Sequence, residues 1–156
     1  MGFSTDAIHA GQIPDPTTGA VITPIYQTST YAQHELGKST GFEYARPHNF
    51  TRQALEKNIA TLEKGKYGIA FASGLAATHA LMSLVKAGDH IVISNNVYGG
   101  TYRLYELNMK NYGLDYSWVD STDLKNVENA IRPNTKMIYV ETPTNPMLNL
   151  TDLKGI

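Results

Sequence analysis

The chain has 156 residues, of which 42% are hydrophobic and 17% charged, and its net charge is −1 at pH 7. This composition argues against a disordered chain, and the balanced charge argues against nucleic acid or a membrane surface as partner. The absence of cysteine excludes disulfides, thiolate metal sites and cysteine nucleophiles, and we expect no metal ion. No apolar run approaches the roughly 20 residues that cross a bilayer. The start lacks a signal-peptide pattern, so we expect a cytoplasmic protein.

Residues 1–50 show no sustained helical period and are interrupted by prolines and glycines. Such a stretch buries little by itself and is unusual inside a compact monomer. It also carries Ile22, Ile25, Tyr26 and Tyr31, which are the wrong residues for a solvated tail. We therefore predict an N-terminal arm, residues 1–50, that reaches a neighbouring subunit. A disordered tail is the alternative.

From residue 51 the pattern becomes regular. Thr51 can cap a helix in which Leu55, Ile59 and Leu62 share one face. Strands and helices are then predicted in alternation. The predicted strands are Tyr67–Ala72, His90–Ser94, Asp115–Val119 and Lys136–Glu141, and the predicted helices are Ser73–Lys86, Thr101–Tyr112 and Asp123–Ile131.

This alternation predicts the α/β class, with right-handed crossovers and a mostly parallel sheet covered on both faces. Residues 51–156 are then the first part of a cofactor-binding domain. Another helix is predicted to begin at Thr151 and Asp152, so we expect the domain to be truncated.

Ligands bind outside the carboxyl ends of the strands in open α/β sheets, which directs attention to three strand exits. At the first, Ser73-Gly74-Leu75 opens a helix whose free N–H groups can hold an anion, although an ordinary helix cap has the same pattern. At the second, Tyr98 can stack on a flat cofactor or simply pack in its turn. At the third, Asn145 precedes a proline and can bond a cofactor oxygen or complete a turn.

The arm adds Arg46, which lies among aromatic residues and whose guanidinium suits a phosphate; a surface salt bridge is the alternative. Together the four segments suit one phosphorylated aromatic ring, and pyridoxal 5'-phosphate fits that description. The sequence has neither a GxGxxG fingerprint nor a GxxxxGK[ST] loop. A nucleotide-binding domain is therefore disfavoured.

Four runs in register carry a family resemblance: GFEYAR followed by N-x-TR, FASGLAAT, VYGGTYR and ETPTNP. Over nearly its whole length the chain resembles the cystathionine gamma-lyase, gamma-synthase and methionine gamma-lyase family. The resemblance implies a fold type I pyridoxal-phosphate enzyme, a lyase or transferase of transsulfuration in methionine and cysteine metabolism. It also implies a homotetramer built as a dimer of dimers. The expected substrates are small sulfur amino acids that react at Cγ, namely cystathionine or an O-acylhomoserine.

The resemblance also implies roles for single residues. Tyr44 and Arg46 match residues that bind the cofactor phosphate in the neighbouring subunit, and Gly74 and Leu75 match the backbone donors of the phosphate cup, to which Ser73 can add its hydroxyl. The remaining matches place Tyr98 on the cofactor ring with a part in proton transfer, Asn145 beside the cofactor's 3-oxygen, and Arg103 and Glu141 at the substrate. Gly100 stands where methionine gamma-lyases tend to carry a cysteine, which favours the cystathionine branch.

Two departures from the family qualify these expectations. Pro47 and His48 replace the Ser-Gly that family members carry, so the family pattern does not predict the conformation of the loop beside Arg46. The Ser-Ala-Thr-Lys run with the Schiff-base lysine and the aspartate for the pyridine nitrogen are both missing. We therefore expect this chain alone to be inactive. The alternative is a non-catalytic fragment that binds a partner subunit or a phosphate-bearing ligand.

Overall fold

The computed structural model describes residues 2–156 as two compact units, the first ending at Ala70 and the second spanning Phe71–Ile156. The helices are α1 (Phe3–His9), α2 (Phe50–Leu62), α3 (Gly74–Leu81), α4 (Gly99–Arg103) and α5 (Leu124–Ala130), and the strands are β1 (His90–Ser94), β2 (Asp115–Val119) and β3 (Thr135–Tyr139). Within residues 2–156, no helix has both the length and the apolar character needed to cross a membrane.

In the first unit, α2 begins two residues earlier than a cap at Thr51 would place it, and it has a different cap. The Asn49 side chain accepts a hydrogen bond from the N–H of Arg52 (3.1 Å). Thr51, the predicted cap, instead donates its hydroxyl to the carbonyl of Pro24 (3.0 Å) and accepts the N–H of Tyr26 (2.9 Å). Its oxygen is therefore committed to the preceding loop, and the prediction of Thr51 as the cap was wrong.

The predicted apolar face of α2 is not its packed face. Leu55 and Ile59 are 54% and 47% exposed, whereas Asn58 and Ala60 are buried. The amide of Asn58 donates to the carbonyl of Ala10 (2.8 Å), directly after α1. Asn58 therefore connects α2 to the end of α1, whereas Ala60, two residues further on, is buried on a different face of the helix.

The arm is ordered locally by aromatic contacts. The ring of Phe50 lies 5.2 Å from Tyr26 and 6.0 Å from Phe42, and Phe42 lies 5.5 Å from Tyr31, between ring centroids. The seven-residue helix α1 is an element that the sequence pattern did not indicate. That residues 1–50 reach a neighbouring subunit stays a prediction.

The second unit confirms the α/β class with an all-parallel, three-stranded sheet in the order β2-β1-β3. β1 and β2 occupy the predicted residues, and every residue of β1 is buried. Helix α5 begins after Asp123, whose side chain accepts the N–H of Lys125 (2.9 Å). Ile91 and Ile93 anchor the core on one face of the sheet, together with Tyr105.

Two predicted elements are absent from the described chain. The run Tyr67–Ala72 forms no strand, and Tyr67 and Ile69 are 76% and 74% exposed. The N–H of Ala70 is bonded to the Glu56 side chain (3.0 Å) instead of to a neighbouring strand. The predicted helix at Thr151 and Asp152 is a single turn, closed by the N–H of Gly155 on the carbonyl of Asp152 (3.1 Å). With three strands instead of four, the predicted strand count was wrong.

The predicted helix Thr101–Tyr112 is a composite. After α4 the backbone widens into a π-helical segment, Leu104–Asn108, and then tightens into a 3₁₀ turn, Met109–Tyr112. Gly113, with φ +76°, lies in the left-handed region and ends this segment. This irregular helix brings Tyr105 fully into the core.

Candidate functional site

A cleft of about 510 Å³ lies at the carboxyl ends of β1 and β3 in the second unit. It brings together five of the predicted site residues, namely Ser73, Gly74, Leu75, Tyr98 and Glu141. It is also lined by three residues that the sequence reasoning missed, Thr78, Thr101 and Tyr139. Arg103 and Asn145 do not line it, although both lie on the segments that follow Tyr98 and Glu141.

The first wall of the cleft is the N-terminus of α3. Ser73 caps the helix through its hydroxyl oxygen, which accepts the N–H of Ala76 (3.1 Å). Within residues 2–156, no acceptor engages the N–H groups of Gly74 and Leu75. A Cβ built on Gly74 would meet no heavy atom within 4 Å. The cup therefore has free donors, the positive end of a helix and room above its glycine, which is what a phosphate group requires.

A hydrogen-bond chain fixes this cup to the sheet. The buried Thr78 donates its hydroxyl to the carbonyl of Gly74 (3.1 Å) and lies 3.1 Å from the Tyr139 hydroxyl. Because the Thr78 proton is already given to Gly74, Tyr139 is the donor in the second bond. One sequence signal for Thr78 existed, since it stands one turn after Gly74 on the same helix face.

The second wall is the ring of Tyr98, which is 52% exposed and stands at the start of α4. It packs against Gly100 so closely that a Cβ there would lie 2.4 Å from the Tyr98 Cε1. The ring thus lines the cleft on a turn whose next two residues, Gly99 and Gly100, carry no side chains. Such a surface suits stacking on a flat cofactor.

Glu141 connects the strand exits. One carboxylate oxygen accepts the N–H of Tyr98 (2.8 Å), and the other accepts the N–H of Asn145 (3.3 Å). The N–H of Glu141 itself donates to the Ser94 hydroxyl (3.1 Å) at the end of β1. The buried Thr144 holds the turn that follows Asn145 through its hydrogen bonds to Leu148 and Asn149.

Tyr44 and Arg46 lie in the first unit. The Arg46 guanidinium carbon is 5.2 Å from the centroid of the Tyr44 ring, within cation–π range. The Arg52 guanidinium donates to the carbonyls of Arg46 (3.0 Å) and Pro47. The loop beside Arg46 is therefore held by Arg52, despite the unusual Pro47-His48 sequence.

One buried ionisable group lies outside the cleft. His90, fully buried in β1, makes hydrogen bonds to the hydroxyls of Thr135 on β3 (2.8 Å) and Ser117 on β2 (3.0 Å). Burial lowers the pKa of His90, the positive charge of Arg132 lowers it further, and Asp115 opposes the shift. His90 is thus favoured in its neutral form, where it joins all three strands.

The sequence matches known proteins over almost its full length. The model of a family described as Cys/Met metabolism PLP-dependent enzyme matches residues 4–156. A probable cystathionine gamma-synthase of Herpetosiphon aurantiacus is 53% identical over 99% of this chain and 49% of its own length. A cystathionine beta-lyase of Coxiella burnetii is 52% identical over 99% of this chain and 40% of its own length.

The fold matches as well. The crystal structure of cystathionine gamma-lyase from Lactobacillus plantarum, complexed with L-serine, superposes with a TM-score of 0.88 at 52% sequence identity. The match covers 97% of this chain and 39% of that one. The chain thus spans less than half the length of each of these relatives.

Proposed function

The chain belongs to the Cys/Met metabolism PLP-dependent enzyme family, and from that premise we propose that it provides the phosphate cup and ring-stacking wall of a transsulfuration enzyme. The cofactor of the family is pyridoxal 5'-phosphate. The proposed substrates are cystathionine or an O-acylhomoserine, reacting at Cγ.

The observation that carries the proposal is the cleft itself. The free N–H groups of Gly74 and Leu75 suit the cofactor phosphate, and the exposed ring of Tyr98 suits its pyridine ring. When bound, the cofactor supplies an electron sink for charge that develops on the substrate amino acid. The chain's own residues bind and orient it, and the Tyr98 hydroxyl is the group proposed to move a proton.

The proposed substrate class draws on the names of the relatives. The gamma-synthase, the beta-lyase and the gamma-lyase all carry cystathionine in their names, at 52–53% identity. Such equal identities do not favour one reaction over another. Gly100 supports the cystathionine branch, and Arg103 and Glu141 remain proposed substrate residues.

The chain by itself is proposed to bind the cofactor without turnover. None of the residues that line the described cleft is a lysine. In a complete enzyme we propose that Tyr44 and Arg46 contribute to the phosphate site of a neighbouring subunit and Asn145 to the cofactor edge. The homo-oligomer, a dimer of dimers, is inferred from the resemblance, and the cytoplasmic location stays a proposal.

The alternative, a non-catalytic fragment that binds a partner subunit, draws support from the exposed apolar residues of α2, Leu55 and Ile59. An activity assay does not distinguish the two proposals, because both expect the chain by itself to be inactive. Cofactor binding separates them directly, because the alternative does not require selectivity for pyridoxal phosphate over other phosphate-bearing ligands.

The test is a calorimetric titration of the purified chain with pyridoxal phosphate, and with pyridoxal and inorganic phosphate as matched controls. We expect saturable binding of one pyridoxal phosphate, and affinities at least about tenfold weaker for either part alone, because the charged hydrogen bonds and the ring contact are then separated. Borohydride reduction followed by mass spectrometry should find no stoichiometric lysine adduct. Equal binding of all three ligands would refute the proposed cofactor site.

A further inference from the structure

Glu141 holds two loops that come from different strands. Tyr98 follows β1, Asn145 follows β3, and the backbone N–H groups of both residues end on the same carboxylate, at 2.8 Å and 3.3 Å. The bond to Tyr98 joins residues 43 positions apart in the sequence. The backbone N–H of Glu141 adds a third link, to the Ser94 hydroxyl on β1 (3.1 Å).

We propose that Glu141 is a positioning residue, which sets the separation between the Tyr98 ring and the Asn145 loop by binding both backbones through one side chain. Its importance for the cofactor rests on the proposed function, whereas the positioning itself does not. This role differs from the substrate contact implied by the resemblance.

The hydrogen-bonding capacity of the carboxylate supports positioning. Each of its oxygens already accepts a backbone N–H. Hydrogen bonds between a backbone N–H and a charged acceptor are among the stronger ones in proteins. With one oxygen bonded to Tyr98 and the other to Asn145, the carboxylate ties the start of α4 to the segment that follows β3.

Three variants test the proposal in the full chain. Glu141→Ala removes both acceptors. Glu141→Gln keeps one acceptor oxygen, which we expect to turn to the N–H of Tyr98, where the bond is shorter. The matched control is Glu128→Gln on the exposed face of α5, which removes the same charge away from the cleft.

Amide hydrogen exchange, measured by NMR, is the primary measurement. In Glu141→Ala we expect the amides of Tyr98 and Asn145 to exchange about tenfold faster, the size expected for one lost hydrogen bond. In Glu141→Gln the Tyr98 amide should regain its protection while that of Asn145 stays fast. Glu128→Gln should leave both unchanged. A merely structural role would instead speed exchange throughout β1 and β3 and lower the thermal midpoint.

Pyridoxal phosphate titration of the same variants gives the second measurement. We expect Glu141→Ala to bind about tenfold more weakly than the natural chain, with Glu141→Gln between the two. Unchanged exchange at both amides in Glu141→Ala overturns the positioning role. Faster exchange with unchanged affinity overturns its importance for the cofactor. If the natural chain binds no pyridoxal phosphate, the proposed function fails, and the exchange rates still decide the positioning role.

Discussion

Replacing Gly74 by alanine should raise the stability of the chain and lower its affinity for pyridoxal phosphate. Gly74 is the first residue of α3, and its φ lies outside the left-handed region. An added Cβ would meet no heavy atom within 4 Å, so the fold accommodates it without strain. The same methyl group would project into the cup where the phosphate is proposed to lie.

The two effects have different sizes. Removing glycine from a position that alanine can occupy stabilises a protein by about 0.4–1 kcal/mol, because the unfolded chain loses freedom. For a chain of this length that corresponds to a thermal midpoint about 1–4 °C higher. Loss of one charge-assisted hydrogen bond costs about 1.5–3 kcal/mol, so the dissociation constant should rise about 10- to 150-fold.

Differential scanning calorimetry gives the midpoint and isothermal titration gives the affinity. The matched control is Gly65→Ala. Gly65 does not line the cleft, and a Cβ there would have its nearest contacts at 3.6 and 3.7 Å. It should raise the midpoint and leave the affinity unchanged. A Gly74→Ala variant with a lower midpoint would show that the geometry of α3 is wrong. Unchanged affinity would refute the assignment of the cup.

Three further perturbations address the rest of the chain. Burial and Arg132 lower the pKa of His90, so its contribution to stability is present above the unfolded-state pKa of about 6.5 and is lost as the pH falls below it. The thermal midpoint should therefore drop between pH 7 and 5. His90→Gln should reduce that drop. If the variant keeps the full drop, another group causes it. Ile93→Ala should lower the free energy of unfolding in urea by about 2–5 kcal/mol, because Ile93 is fully buried. Leu107→Ala, at a 64% exposed position, should change it by no more than about 0.5 kcal/mol. Similar losses in the two variants would contradict the assignment of Ile93 to the core. Arg52→Lys should destabilise the first unit by about 1 kcal/mol, because lysine cannot bond the Arg46 and Pro47 carbonyls with one planar group. Unchanged amide exchange at Arg46, His48 and Asn49 would contradict that role.

The second unit was predictable where the sequence itself holds the determinants. β1 and β2 are short runs rich in β-branched and aromatic residues that follow the turn glycines Gly88 and Gly113, and both were predicted to the residue. Ser73 and Asp123 also begin their helices as expected, because a capping side chain needs only its own next few residues. The family resemblance and the cofactor are confirmed by the family match.

The failures concern contacts with distant residues. The apolar pattern of Tyr67–Ala72 indicates a strand, but a strand forms only beside a partner, and Glu56 satisfies the backbone at Ala70 instead. Likewise, the spacing of Leu55 and Ile59 indicates a buried face, yet α2 is joined to the end of α1 by Asn58, whose amide bonds the carbonyl of Ala10. In the site, Tyr139 was missed because its hydroxyl reaches α3 through a tertiary contact that no local motif encodes.

The contact between Tyr98 and Gly100 restricts how this site can be redesigned or can diverge. With the ring lying where any Cβ at position 100 would stand, each larger residue there must first turn the ring. A library that varies position 100 alone would therefore sample altered ring orientations along with altered side chains. Energies measured at the two positions should not add, with coupling of about 0.5–3 kcal/mol as found for residues in contact. A change of specificity at this corner of the cleft therefore involves the orientation of the Tyr98 ring as well as the residue at position 100.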